Sequence, residues 1–160
     1  MIKKNNSKIA IYFLLFLVLC FASTKMKELI LDKISQSNSI EFSNILFSFC
    51  EVHNTGAAFN LMMGRTNMLI VAAIVCLIIL IAIVLAKTSK LTNAMIIAMA
   101  FLSSGMLMNT VERVHDGFVT DYIYFTFFKE FPVFNLSDVM IVIGAIVIII
   151  SLLRYPREKK

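Results

Sequence analysis

The chain has 160 residues, 59% of them hydrophobic, with 14 Phe, 10 Met, no Trp and a mean hydropathy of +0.87. This excludes an ordinary soluble domain and, with apolar runs long enough to cross a bilayer, predicts an integral membrane protein. The formal net charge of +5 does not indicate a nucleic-acid partner, because the basic residues flank apolar runs and form no stripe.

Met1–Lys8 is polar and basic, and Ile9–Ser23 is apolar. A basic start before an apolar core also describes a cleavable signal peptide, and Cys20-Phe21-Ala22 loosely resembles a cleavage site. A lipoprotein signal would need small residues before its cysteine, where bulky Leu19 stands. The helical spacing of Met26, Leu29, Ile30 and Ile34 also continues past this point. Residues 9–23 are therefore read as a retained first span whose helix runs on, amphipathic, beyond the bilayer.

Ser35–Ser39 breaks the pattern, and Ile40–His53 reads as a strand, with Ile45, Phe47 and Phe49 alternating against Leu46, Ser48 and Cys50. Asn54-Thr55-Gly56 ends it, Gly56 serving a tight turn or a close approach. Residues 68–86 form a second span, about 28 Å long at 1.5 Å per residue. After the basic hairpin Lys87–Lys90, residues 91–109 form a third, where small Ser103, Ser104 and Gly105 allow close helix approach. Residues 138–153 form the fourth, closed by Arg154, Arg157, Lys159 and Lys160. The predicted fold is mainly α: one membrane domain over residues 1–160, with four transmembrane helices and a small β-containing extracytoplasmic region after the first span.

Charge orients the bundle. The N-terminal flank, the hairpin and the C-terminal tail hold nine Lys/Arg and one acid, Glu158, whereas the other side holds six Lys/Arg and nine acids. Basic flanks favour the cytoplasm, so both termini are expected there and the loops 24–67 and 110–137 outside.

Three widely spaced cysteines (Cys20, Cys50, Cys76) and two lone histidines (His53, His115) offer neither a disulfide framework nor metal-ligand spacing, so no metal or cofactor is expected. The informative stretch is 119–138, where Asp121 and Asp138 bracket an aromatic loop and Asp138 stands before the fourth span. Carboxylates at a membrane edge are costly unless paired, hydrogen-bonded or wet, which favours a functional reading. The plain alternative is that Asn135 and Asp138, three residues apart, only cap a helix while Asp121 sits on a solvated loop. The topology also brings Asn109, Arg113, Asn54 and Gly56 to the same outer level. No Ser/His or Cys/His pairing, HExxH or phosphate loop occurs, which leaves aspartyl hydrolysis as the chemistry provided for.

These residues resemble the lipoprotein signal peptidase (signal peptidase II) family. Asn54-Thr55-Gly56-Ala57-Ala58-Phe59 matches an NxGAAF-type motif, Gly117–Ile123 looks like GxVxDFI, Phe131–Asp138 looks like FPxFNxAD, and Asn109 and Arg113 fit GNxxDR. The resemblance implies an aspartyl endopeptidase that cuts diacylglyceryl-modified prolipoproteins before the lipid-bearing cysteine, with membrane lipid as its surroundings. It puts the catalytic dyad at Asp121 and Asp138. Asn54, Gly56, Phe59, Asn109, Arg113, Asn135 and Lys25 then support the site or meet substrate.

Several positions depart from the family pattern. The acid expected four residues before Lys25 is Phe21, a motif Gly is Met108, and the Asp of GNxxDR is Glu112. Ser104-Gly105, Tyr122 and Ser137 are milder replacements. Without an acid at Phe21, Lys25 also reads as an interfacial lysine that keeps its ammonium in water. Other readings are a four-helix transport subunit using the two aspartates as a proton relay, and a catalytically inactive lipoprotein-binding relative. A relay needs charge at mid-membrane, and the centres of all four spans lack it. The sequence leaves the oligomeric state open, a monomer included.

Overall fold

The computed structural model describes residues 2–37, 46–57, 61–128 and 130–154. Four helices carry it: α1 (Ile2–Ser37), α2 (Thr66–Lys87), α3 (Asn93–Asp116) and α4 (Leu136–Leu153), all long and apolar enough to cross a membrane. Two strands, β1 (Phe47–Asn54) and β2 (Val119–Phe125), pair antiparallel. At 36 residues α1 is about 54 Å long, well beyond a bilayer core, so the helix does run on past the first span.

The most buried helix is α3, and it packs against each of the other three. Small residues set this. A Cβ on Gly105 would lie 2.3 Å from the backbone oxygen of Ser137, and one on Gly144 would lie 2.7 Å from that of Ala98. The two glycines therefore lock α3 to α4 along one seam, as close backbone approach in membranes requires. On the opposite side Tyr12, Val84, Ile96, Met99 and Ala100 form a cluster joining α1, α2 and α3, and the Tyr12 hydroxyl donates to Ser103 at 2.9 Å. Lys8 Nζ donates to the Leu91 carbonyl at 2.5 Å, which puts the start of α1 beside the Lys87–Lys90 hairpin.

Two expectations need correction. The strand expected over 40–53 is described as Phe47–Asn54, residues 38–45 lying outside the described segments. The connection expected over 110–137 is not simply a loop: α3 continues to Asp116, Gly117 closes it at φ 82°, and Val119–Phe125 is a strand. Val119, Tyr122, Ile123 and Phe125 suit a strand, but the partner, β1, lies more than sixty residues earlier, so no hairpin signal announces it. In the ladder Phe47 faces Phe125, Val52 faces Asp121 and Asn54 faces Val119, with a bulge between Phe49 and Val52 that puts the extra β1 residue opposite Tyr122.

Candidate active site

Asp121 occupies the third position of β2 and is 2% exposed. Asp138 is the third residue of α4. What brings them together is a one-residue bridge: Phe134 pairs with Ile123, exchanging bonds of 2.8 and 2.9 Å. Asn135, the next residue, therefore sits beside β2 as it caps α4. Its Oδ1 accepts from Asp138 N at 3.0 Å, and Asp138 Oδ2 accepts from Asn135 N at 3.1 Å, forming a reciprocal capping box. The expected capping role is thus present, and it does not exhaust what Asn135 does.

The Nδ2 of Asn135 donates to Asp121 Oδ1 at 2.7 Å and to Asn109 Oδ1 at 3.2 Å. Asn54 Nδ2 donates to the other Asp121 oxygen at 2.9 Å, and Asn109 Nδ2 donates to Asp138 Oδ1 at 2.8 Å. Three asparagines from three elements thus hold both carboxylates in one network, with every carboxylate oxygen accepting at least one bond. Such a network orients both acids more tightly than isolated pairs do.

Arg113, one turn after Asn109, donates to the Gly56 carbonyl from Nη2 at 2.6 Å and to the Asn109 carbonyl from Nη1 at 3.3 Å. Its Nε is buried without a hydrogen-bond partner among the described residues. Gly56 is buried and donates its N–H to Asn54 Oδ1 at 2.9 Å, an Asx turn that fixes the amide aimed at Asp121. Positive φ is not its role: among the described glycines only Gly64 and Gly117 have it.

Burial pushes the Asp121 carboxyl up to about 6, and the Asp138 charge adds to the rise. The Asn54 and Asn135 amides and the Arg113 charge oppose it. A buried acid in that range can exchange a proton near neutral pH, and next to a second carboxylate it can share one.

The family model for signal peptidase (SPase) II matches residues 14–154. This chain belongs to the signal peptidase II family. The members are aspartic peptidases, so the chain is classed as a membrane hydrolase. A lipoprotein signal peptidase of Halothermothrix orenii is 31% identical, covering 92% of this chain and 97% of its own. One from Enterococcus faecalis is 30% identical over 95% and 93%. A bacterial membrane enzyme solved by the in meso method at 2.3 Å resolution superposes with a TM-score of 0.78 at 26% identity, covering 95% and 94% of the two chains.

In this family member the residues singled out from sequence divide. Asn54, Gly56, Asn109, Arg113, Asn135, Asp121 and Asp138 come together. Lys25 does not: half-exposed on α1, it pairs with Glu28 at 2.5 Å and stands 6.0 Å from the Phe21 ring centre. Phe59 lies outside the described residues. Tyr122 is 1% exposed, its hydroxyl accepts from Leu136 N at 3.3 Å, and burial pushes its phenol up to about 12. Phe125 packs among Phe47, Phe127, Phe131 and Phe134.

Residues not singled out also frame the site. Ser23 and Ser137 share a buried hydroxyl bond of 2.9 Å, joining α1 to the residue before Asp138. Lys27 pairs with Glu112 at 2.7 Å. Two of these positions, Ser137 and Glu112, depart from the family motifs, and that departure was the available signal: the Ser137 hydroxyl is a polar group in a buried place that needs a partner, and Glu112 reaches one methylene further than Asp.

Proposed function

We propose that this chain is an endopeptidase that removes signal peptides from diacylglyceryl-modified prolipoproteins, using Asp121 and Asp138 as its catalytic pair. The observation that carries this is Asn135, whose side chain bonds Asp121 while its backbone N–H bonds Asp138, so that one residue sets the two carboxylates against each other. Mere capping needs only the bonds between Asn135 and Asp138.

The chemistry follows from two acids sharing one proton. The ionised carboxylate takes a proton from water as the water oxygen attacks the scissile carbonyl carbon. The protonated carboxyl donates to the carbonyl oxygen as it becomes an oxyanion. In collapse the C–N bond breaks, the carbonyl re-forms, and the departing amine of the lipid-bearing cysteine takes a proton from the pair. A metal is not required for this sequence, since both the base and the acid are carboxyls.

Asp138 opens a membrane-spanning helix, so the pair sits at the end of the apolar span. A peptide whose acyl chains stay in the bilayer would reach it with its scissile bond near that depth, gaining in local concentration and orientation. Charge asymmetry supports a reading with this end on the outer side of the bacterial membrane and both termini in the cytoplasm. The Lys8–Leu91 contact supports this by putting two basic flanks at one end.

The test is cleavage of a lipobox peptide by purified protein in detergent or vesicles, with and without the diacylglyceryl group on its cysteine. Cleavage before the cysteine, strongly favouring the modified peptide, is expected. Equal turnover of both peptides contradicts the substrate class, and no cleavage of either contradicts the activity.

A further inference from the structure

The buried site has an ionic support that its catalytic chemistry does not use. Glu112 lies on α3 three residues after Asn109 and immediately before Arg113, on the turn that faces both aspartates. Its Oε2 accepts from Lys27 Nζ of α1 at 2.7 Å and from the backbone N–H of Thr120 at 2.8 Å. Thr120 is 4% exposed and directly precedes Asp121. One carboxylate oxygen thus ties α1, α3 and the start of β2 together at the residue beside Asp121.

We infer that Glu112, held by Lys27, is a positioning residue that sets the backbone of Asp121 against Asp138. This rests on the dyad proposed above and extends it. The same helix then controls both acids: Asn109 grips the side chain of Asp138, and Glu112 grips the main chain next to Asp121. Lys27 has two tasks. It restrains the long Glu112 side chain, and it neutralises a third negative charge near two carboxylates that must share a proton. Side-chain exposures of 24% for Lys27 and 14% for Glu112 leave the pair partly shielded from water, where screening is weak. The partnership uses a residue that the motifs do not name. Position 112 holds Glu, one methylene longer than the motif's Asp, and the lysine that meets it is Lys27, while Lys25 pairs elsewhere.

The experiment measures kcat and KM for a lipid-modified peptide with Glu112→Gln, Glu112→Ala, Lys27→Met and the Lys27→Met/Glu112→Gln pair, each normalised to folded protein. Glutamine can still accept from Thr120 N–H but loses the ion pair, so about a tenfold fall in kcat is expected, with KM little changed. Alanine removes both contacts, and about a hundredfold fall is expected, the scale of a 1 Å misplacement. Lys27→Met should fall at least as far as Glu112→Gln, because it also leaves the Glu112 charge unpaired, and the double variant should be no worse than Glu112→Gln alone, because the ion pair is already gone. A kcat within twofold of wild type for Glu112→Gln overturns the inference, and so do fully additive losses. Should Glu112→Ala fail to fold, Glu112→Gln and Lys27→Met decide alone. Loss of KM rather than kcat would assign Glu112 to substrate binding and overturn positioning. Asp121→Asn run alongside separates the levels: if it cleaves normally, the dyad fails, whereas normal Glu112 variants with a dead Asp121→Asn sink only the clamp.

Discussion

Asn135 donates its side-chain amide to Asp121 at 2.7 Å while its Oδ1 caps α4 at Asp138 N. Capping and aiming use different atoms of the same amide, so they can be separated. Serine caps a helix about as well as asparagine but has no amide to offer Asp121. Asn135→Ser should keep thermal stability within about 1 kcal/mol and lose activity by at least about tenfold. Thermal unfolding and cleavage measured on the same preparation check this. A fully active Asn135→Ser would leave capping as the residue's whole role.

Asp121→Asn and Asp138→Asn should each lower kcat by about 10²–10⁴-fold, because asparagine keeps shape but can neither take nor give the shared proton. The double variant should be little worse, since the two acids act as one unit. Helix capping alone makes the opposite forecast for Asp138→Asn, which should then cleave at near wild-type rate.

The raised Asp121 carboxyl makes a stability forecast with a definite sign. Unfolded, the group titrates at 3.8, and folded, at about 6. The folded state therefore holds the proton more tightly, so this contribution is complete below 3.8 and is lost as pH rises through 6. Relative to Asp121→Asn, wild type should lose on the order of 3 kcal/mol across that window. Denaturant unfolding of both proteins at pH 4 and pH 7 measures the difference, and a gap independent of pH contradicts the buried, raised carboxyl.

Gly105 lies where α3 meets the first turn of α4. An added Cβ would meet the Ser137 carbonyl at 2.3 Å and the Ile141 backbone N at 3.2 Å, and backbone cannot yield as a side-chain tip can. Gly105→Ala should destabilise the protein by about 1–3 kcal/mol. It should also depress cleavage beyond the loss of folded protein, because the atoms displaced adjoin Asp138. Wild-type kcat per folded molecule would show that α4 tolerates the shift.

Orientation is open to reporter fusions. Those placed after Lys90 and after Lys160 should score cytoplasmic, and one near Gln36 external. A C-terminus scoring external would move the aspartates to the wrong side of the membrane for exported substrates.

Four spans, the long first helix and the Asn135–Asp138 cap were legible in the sequence, because each depends on residues close in the chain: apolar run length, helical spacing and a three-residue capping interval. The motifs around Asn54, Asn109, Asp121 and Asp138 were legible through family resemblance, and the fold brings them into one hydrogen-bonded network. Local pattern could not supply pairings between distant segments. The strand at Val119–Phe125 pairs with β1 from far earlier in the chain, and the buried Tyr122 has its hydroxyl met by Leu136 N–H from the start of α4. Lys25 and Lys27 are two residues apart and chemically identical, yet on α1 that spacing turns them about 200° apart, and only one meets Glu112. Side-chain direction on a helix is decided by which neighbour packs against which face, and that choice belongs to the tertiary structure.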